Sequence, residues 1–349
     1  MRRAGTGHGS TAKGRPAALF RLVACCCWGY LGVVLCFWLV VVLAGDRHWL
    51  ATLLLFGPRW LLGLPLLVLV PLALVLCRRL ILPLAAAALV VAVPLLGLQV
   101  PLGHPSPATG PVLRVLTCNI DVARCDREAL AALIRDSSAD LVALQESPRE
   151  MRDGLPAGWH RLQQGELTIY SRYPLRSLGH LEALHPPHRW PRASLLDCRV
   201  TLPGGELSFA TVHLPSPRYG LSSVLDRRTL LSPARSALLE RELAHRREVA
   251  DQVQRALEVL PKPLLVAGDF NTPPDSTLYR RYWSTYANAF SERGTGYGWS
   301  MRAKVRRIGF GLRIDHILCG SGLAVRSCAL GPSIGSDHLP LIADLEILP

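Results

Sequence analysis

Acidic side chains are almost missing from the first hundred residues. Asp46 stands alone there against nine lysines and arginines: Arg2, Arg3, Lys13, Arg15, Arg21, Arg47, Arg59, Arg78 and Arg79. This end supplies +8 of the formal charge of +13 and leaves +5 for the remainder. Basicity confined to one end points to membrane topology and argues only weakly for nucleic acid. Ten cysteines are present, but none shows the short paired spacing of a thiolate zinc site. Five of them (Cys25, Cys26, Cys27, Cys36 and Cys77) lie in apolar runs. The other five (Cys118, Cys125, Cys198, Cys319 and Cys328) lie in mixed sequence. They read as small buried apolar residues, with one disulfide in the mixed part left open. There is no internal repeat.

Charge is also missing from long stretches. Leu22 to Ala44 runs for about 23 uncharged residues, enough to cross a ~30 Å hydrocarbon core as a helix. Trp60 to Cys77 is a second run, and Leu80 to about Val100 a third. The third contains Pro83 and Pro94, which membrane helices tolerate. Arg78-Arg79 reads as a tight turn between runs two and three. No small-x-small cleavage site precedes a soluble region, which argues against a signal peptide. The expectation is three spans, about 22–44, 60–77 and 80–100, behind a basic leader at 1–21. Two spans with one re-entrant run is the alternative. The positive-inside rule places the leader and the Arg78-Arg79 turn in the cytoplasm. Three crossings then put everything after Val100 on the outer side of a cell membrane, and one miscounted crossing would reverse that.

Residues 101–111 (PLGHPSPATGP) read as a Pro/Gly-rich linker. Beyond it, strand-like and helix-like segments mix over 112–349. Val112–Asn119, Leu141–Gln145, Leu167–Ser171, Ala193–Leu202, Glu206–His213, Leu264–Ala267, Arg313–Cys319 and Leu339–Ile347 read as strands. Asp126–Ser137 reads as a helix capped by Asp126, and Pro233–Leu260 as a long amphipathic helix. The pattern implies an α/β domain of two packed sheets covered by helices.

Polar residues recur where these apolar strands end: Asn119 and Asp121, Glu146, His213, Asp269 and Asn271, Asp315 and His316, Asp337 and His338. Each alone reads as a turn former or a solvated residue. Together they form a set of hard oxygen donors suited to Mg2+ or Mn2+, with two histidines that can move protons near neutral pH. Phosphodiester hydrolysis needs those parts: a cation on the phosphoryl oxygen, an oriented water and help for the leaving oxygen.

Six short motifs carry a resemblance to the endonuclease/exonuclease/phosphatase superfamily, whose deoxyribonuclease I-like fold is a four-layer α/β sandwich. They are Thr117-Cys118-Asn119-Ile120-Asp121, Leu144-Gln145-Glu146, Thr211-Val212-His213-Leu214, Gly268-Asp269-Phe270-Asn271, Arg313-Ile314-Asp315-His316-Ile317-Leu318 and Ser336-Asp337-His338, in family order. The resemblance implies that Glu146 is the principal metal ligand, with Asn119, Asp121 and Asp337 near the ion. It implies that Asp269 orients or deprotonates the attacking water and that Asn271 holds a phosphate oxygen. His338 then contacts the scissile phosphate, directed by Asp315, and His213 faces the leaving group. His213 stands where AP endonucleases usually carry tyrosine, and Gly298-Trp299-Ser300-Met301-Arg302 replaces the inositol 5-phosphatase hallmark.

The expected activity is a membrane-anchored, divalent-metal-dependent phosphodiesterase, acting as a nuclease or on a phospholipid headgroup in the manner of a sphingomyelinase. A tethered protein that kept the fold without catalysis is the competing class, and the intact residue set argues against it. Residues 185–192 and 215–221 read as loops near the site. The run from Arg302 to Arg313, with Lys304, Arg306 and Arg307, reads as a phosphate-attracting rim, a solvated loop or a membrane-facing basic surface. No aromatic ladder accompanies it, and no protein partner can be inferred.

Overall fold

The computed structural model describes residues 14–101, 103, 107–121, 123–148, 158–184, 191–226, 228 and 233–348. Residues 1–13 of the basic leader and the loop at 185–190 lie outside the described residues. The chain divides into two compact units, one formed by Met1–Leu39 with Arg59–Leu96 and the other by Val40–Pro58 with Gly97–Pro349.

The first unit is helical. Helix α1 spans Gly14–Ala44 and runs on into the second unit, where α2 spans Trp49–Leu55. Helices α3 (Leu66–Leu76) and α4 (Ile81–Val90) follow, and a π-turn over Val91–Leu95 contains Pro94. Among the described residues, three stretches are long and apolar enough to cross a membrane: Ala18–Ala44, Arg59–Leu76 and Arg78–Leu95. The first takes in Arg21, and the third stops five residues before the expected Val100. Gly97, at φ 80°, and the backbone pairing of Gln99 with Gly296 draw the chain into the second unit there. Arg78–Leu80 forms the tight turn expected between the second and third runs.

The second unit contains two six-stranded sheets. Its strands are β1 (Val112–Asn119), β2 (Leu141–Gln145), β3 (His160–Gln164), β4 (Leu167–Ser171), β5 (Leu175–Leu184), β6 (Pro191–Leu202) and β7 (Gly205–His213), then β8 (Leu264–Asp269), β9 (Ala287–Asn288), β10 (Met301–Val305), β11 (Ile308–Leu312), β12 (Asp315–Cys319), β13 (Leu323–Leu330) and β14 (Leu341–Ile347). Its further helices are α5 (Arg127–Asp136), α6 (Arg218–Leu225), α7 (Ala237–Glu258), α8 (Thr277–Tyr282) and α9 (Ala289–Arg293). One sheet has the order β13-β14-β1-β2-β4-β3 and the other β5-β6-β7-β8-β12-β9, while β10 and β11 form a separate hairpin. Both sheets are mixed: β1 runs parallel to β2 and antiparallel to β14, and β8 runs parallel to β7 and antiparallel to β12.

Strand parity builds the layers, because successive side chains point to opposite faces. Leu113 and Val115 of β1 face the inter-sheet core with Phe209, Leu265 and Ile317. Leu116 and Cys118 face the other way, onto Leu130, Leu133 and Ile134 of α5. In β8, Leu265 and Ala267 point inward, whereas Leu264 and Val266 meet Val249, Val253 and Leu257 of α7. Both faces of the central strands are therefore buried, which gives the four-layer sandwich. Asp126 caps α5 by accepting from Glu128 N at 3.0 Å and Ala129 N at 3.1 Å. The long helix expected over Pro233–Leu260 begins as a 3-10 turn, Pro233–Ser236, before α7.

The stretch from Gly45 to Pro58, which contains α2, is part of this second unit. Trp49 and Leu53 of α2 pack against Val224, Leu239 and Leu243. Asp46 is buried and accepts from Leu278 N at 3.0 Å and from the Thr277 hydroxyl, at the start of α8.

Candidate active site

The same parity that packs the core sends polar groups to one mouth. Continuing the inward series past the apolar residues brings Asn119 on β1, Gln145 on β2, His213 on β7, Asp269 on β8 and Asp315 on β12 into the inter-sheet space. Register aligns them: Asn119 lies opposite Gln145, and Asp269 lies opposite both His213 and Asp315. Beneath the mouth, Gln145 Nε2 donates to Thr117 Oγ1 of its own sheet at 3.2 Å and across to Thr211 Oγ1 of the other at 2.9 Å.

Asp269 is the hub and is 1% exposed. Its Oδ2 accepts from Asn119 Nδ2 at 3.1 Å and from Asn271 Nδ2 at 3.2 Å. His213 Nε2 and His338 Nε2 approach the same oxygen at 3.7 and 3.9 Å. Burial first, then the neighbouring Asp315 charge, pushes the Asp269 carboxyl up to about 6. Each histidine has its own carboxylate. His338 Nδ1 lies 2.8 Å from Asp315 Oδ2, and His213 Nδ1 lies 2.7 Å from Glu166 Oε1. Burial alone would push His338 down, but Asp315, Asp269 and Asp337 outweigh it and raise the imidazole to about 10. For His213 burial prevails over Asp269 and Glu146, and the imidazole is lowered. The two rings are therefore shifted in opposite directions, His338 toward its protonated form and His213 toward its neutral form.

Glu146 stands at the edge of this group. It accepts from Asn119 Nδ2 at 3.1 Å and lies 3.9 Å from His213 Nε2. Burial pushes its carboxyl up, yet His213, the Asn119 bond, Arg192 and His338 together hold it below the ordinary glutamate value. Glu146, Asn271 and Asp121 all have left-handed backbones, with φ of 53°, 48° and 39°. Such strain costs roughly 1–3 kcal/mol per residue and clusters at functional sites. At Glu146 it ends β2 and turns the side chain out of strand parity. Gly268 supports the neighbouring strand end: a Cβ there would clash with the backbone of Val212, so only glycine lets β7 and β8 approach this closely beside Asp269.

Asp121 and Asp337 stand farther out. Arg124 Nη1 bridges them at 3.2 and 3.4 Å. Asp337 also joins the site to the basic run, because its carbonyl accepts from Arg302 N at 2.8 Å. That run is the β10–β11 hairpin, with Arg302, Lys304, Arg306 and Arg307 exposed. His316 points away from the site. Its Nε2 donates to Thr272 O at 2.8 Å while Nδ1 accepts from Asn288 Nδ2 at 3.1 Å, and burial pushes the ring down to about 4. It is a neutral structural histidine. Of the loop expected at 215–221, Arg218 onward is α6.

Three contributors were not anticipated from the sequence. Glu166 sits in the two-residue Gly165-Glu166 turn between β3 and β4, and it also pairs with Arg192. A glutamate in a hairpin turn gives no signal of its own. Ser300 Oγ accepts from Asp315 N at 3.1 Å, and Ser336 Oγ both accepts from His338 N at 3.0 Å and donates to Asn119 O at 2.8 Å. These hydroxyls set the backbone from which the site projects.

Residues 116–338 match the family model described as the Endonuclease/Exonuclease/phosphatase family, and the chain belongs to that family. Its members are generally hydrolases of phosphoester bonds and usually use divalent metals. Solved structures of low identity are similar to this chain. D. rerio TDP2, complexed with single-strand DNA product, is 17% identical with a TM-score of 0.47 over 67% of this chain and 99% of that one. The human Nocturnin catalytic domain with bound sulfate is 15% identical with a TM-score of 0.46 over 69% and 96%. A family protein from Bacteroides thetaiotaomicron is 17% identical with a TM-score of 0.48 over 68% and 99%. No curated protein matches the chain in sequence.

Proposed function

We propose that this chain is a membrane-anchored, divalent-metal-dependent phosphodiesterase. The supporting observation is the convergence of two histidine–carboxylate pairs, His213–Glu166 and His338–Asp315, on the single buried carboxylate of Asp269.

The donor set fits a hard cation such as Mg2+ or Mn2+. Glu146, held below the ordinary glutamate value, accepts from Asn119 at the edge of the group and offers its carboxylate to a cation. Glu146 and Asn119 would hold the ion, with Asp121 and Asp337 in the outer ring. Asp269, Asp315 and His338 also place ligand atoms within 4.8 Å of one another. That group is the poorer cation site, because a protonated imidazole bonded to Asp315 cannot ligate. When bound, the cation supplies Lewis acidity at a phosphoryl oxygen.

The protein groups do the rest. Asp269, fixed by Asn119 and Asn271, orients the attacking water and can take its proton, since its carboxyl is raised toward neutrality. His338 presents a protonated Nε2 to the scissile phosphate, and Asp315 fixes its direction through Nδ1. Asn271 contacts a phosphate oxygen. His213, oriented by Glu166, supports the leaving-group side.

The first substrate reading is nucleic acid. It is supported by the four exposed cations of the β10–β11 hairpin, whose base is bonded to Asp337 beside His338. The second is a lipid headgroup phosphoester, supported by three apolar stretches long enough to cross a bilayer. The catalytic unit lies outside the cytoplasm. Basic residues favour an inner leader and an inner Arg78-Arg79 turn. Gly45–Pro58 shares a compact unit with the catalytic sheets, which supports a topology that keeps both on one side of the membrane.

The test uses the full chain in detergent, because the catalytic unit includes that segment. Hydrolysis of bis-p-nitrophenyl phosphate is expected with Mg2+ or Mn2+ and should stop in EDTA. A panel of DNA, RNA, sphingomyelin and phosphoinositides then assigns the substrate. No turnover of any phosphodiester, lipid or phosphomonoester with either metal overturns the reading.

A further inference from the structure

We propose that Arg246 is a positioning residue that couples the segment between the first two apolar helices to the loops carrying the catalytic residues. The proposal rests on the reading of the site given above.

Arg246 lies within α7 and is 2% exposed. Its Nε donates to Pro215 O at 2.9 Å, and its Nη2 donates to Asn271 O at 2.6 Å and Thr272 Oγ1 at 3.3 Å. Pro215 lies two residues after His213, and Asn271 two residues after Asp269. One guanidinium therefore staples the loops that leave the parallel strands β7 and β8 at their catalytic ends. The staple is close to the chemistry. Asn271 holds its left-handed backbone with its carbonyl on Arg246, its N–H on Asp269 Oδ1 at 2.8 Å and its side chain on Leu214 O at 2.8 Å.

The membrane-side segment completes the environment of this cation. Phe56, which caps the C-terminus of α2, places its ring 5.5 Å from the Arg246 guanidinium carbon and is itself buried. Arg246 Nη1 has no hydrogen-bond partner among the described residues, so the aromatic ring stands in for water there. Asp46 of the same segment, together with Glu242 and Asp269, balances the charge. Glu242 in turn accepts from Gly220 N at 2.8 Å and ties α6 to α7.

A buried arginine is an expensive way to fill space, and a methionine would pack the same volume without desolvating a charge. What the arginine adds is three directed donors, all aimed at the two catalytic loops. Two of its surrounding groups, Asp46 and Phe56, belong to the short stretch that joins one apolar helix to the next. Displacing that stretch would admit water to the guanidinium and loosen the loops it holds. Anchoring and catalysis are thus linked through one side chain.

The test compares the full-length chain with Arg246→Met, Arg246→Lys and Phe56→Ala, all in detergent. Two readouts are taken: hydrogen–deuterium exchange, and kinetics on bis-p-nitrophenyl phosphate with Mn2+. Arg246→Met should raise exchange in peptides covering 214–217 and 269–273 while β1 and β2 stay protected. Its kcat should fall about 100-fold with KM within a few-fold, as for a slight misplacement of catalytic groups. Arg246→Lys should recover part of both effects. Phe56→Ala should loosen the same two segments to a lesser degree, and it keeps the test alive if Arg246→Met fails to fold. Unchanged exchange in those segments, or a rise of equal size throughout both sheets, overturns the proposal. If the wild-type chain hydrolyses nothing, the functional reading fails, and the exchange pattern still decides the positioning role.

Discussion

The two ends of the paired sheets use the same strands to opposite purposes. At one end the inward positions are Leu113, Leu141, Leu207, Leu265 and Cys319, all buried in the inter-sheet core. Beyond them lies a cavity of about 580 Å3 lined by Leu202, Pro263 and Ile347 among others. At the other end the inward positions are Asn119, Gln145, His213, Asp269 and Asp315, and three nearby residues have left-handed backbones. Strand parity is identical at both ends, and only the residue identities change. One end can therefore be spent on packing while the other carries buried charge that opposes folding. Stability and chemistry should be separable by position along a single strand.

The largest expected effect tests that separation directly. Asp269→Asn keeps the shape and should lower kcat/KM on bis-p-nitrophenyl phosphate by roughly 1,000-fold or more. It removes a buried charge beside Asp315, so the melting temperature should hold or rise. Phe209→Ala, toward the apolar end, should cost about 3–5 kcal/mol of stability and leave kcat of the folded protein within a few-fold. Equal loss of chemistry in both variants would show that the ends are not independent.

A smaller effect sharpens the comparison within the polar end. Glu166 acts on the site through His213, so Glu166→Gln should lower kcat by about 10–100-fold through loss of imidazole orientation. An unaltered kcat would mean that His213 is held by its packing alone.

Glu166 also marks the limit of what could be read without coordinates. The expected site residues all end apolar strands, so the hydrophobic pattern locates them, and the packing of two sheets brings Asn119, Glu146, His213, Asp269, Asn271, Asp315 and His338 together. Glu166 reaches the site from a hairpin turn, where nothing local separates a partner of histidine from a solvated charge, whereas its partner Arg192 ends the 185–192 stretch expected near the site. Four of the six strands missed by pattern, β3, β5, β9 and β13, are the edge strands of the two sheets. β3 and β5 lie at sheet edges with mostly half-exposed faces, and β5 carries Gly179 and two register shifts, so neither shows clean alternation. The β10–β11 hairpin was hidden because its arginines and lysine read as a basic run and Gly309 and Gly311 break the apolar pattern of β11. The role of 45–58 was hidden by its neighbours, because a short stretch between two apolar helices reads as a connecting loop until Asp46 and Phe56 are seen against the catalytic unit.

The smallest effect concerns a carboxylate at the apolar end. Glu346 on β14 lies opposite Val112, is buried, and accepts from Thr109 N at 2.6 Å, from Gly110 N at 2.7 Å and from Arg326. Those backbone bonds, chiefly that from Gly110, lower its carboxyl from 4.5 to about 2. Asp269 is shifted in the other direction, from 3.8 up to about 6. The signs follow from linkage. Glu346 contributes stability that is complete above its unfolded value and is lost as pH falls from about 4.5 toward 2. Asp269 contributes stability only while protonated, and that is lost as pH rises through about 6. In EDTA, Glu346→Gln should therefore flatten the acid side of the stability profile, and Asp269→Asn should stabilise above pH 6 with little effect near pH 4. Chemical denaturation at stepped pH measures both. Profiles that shift in parallel across the whole range would mean that the two buried carboxylates do not differ in the way their surroundings require.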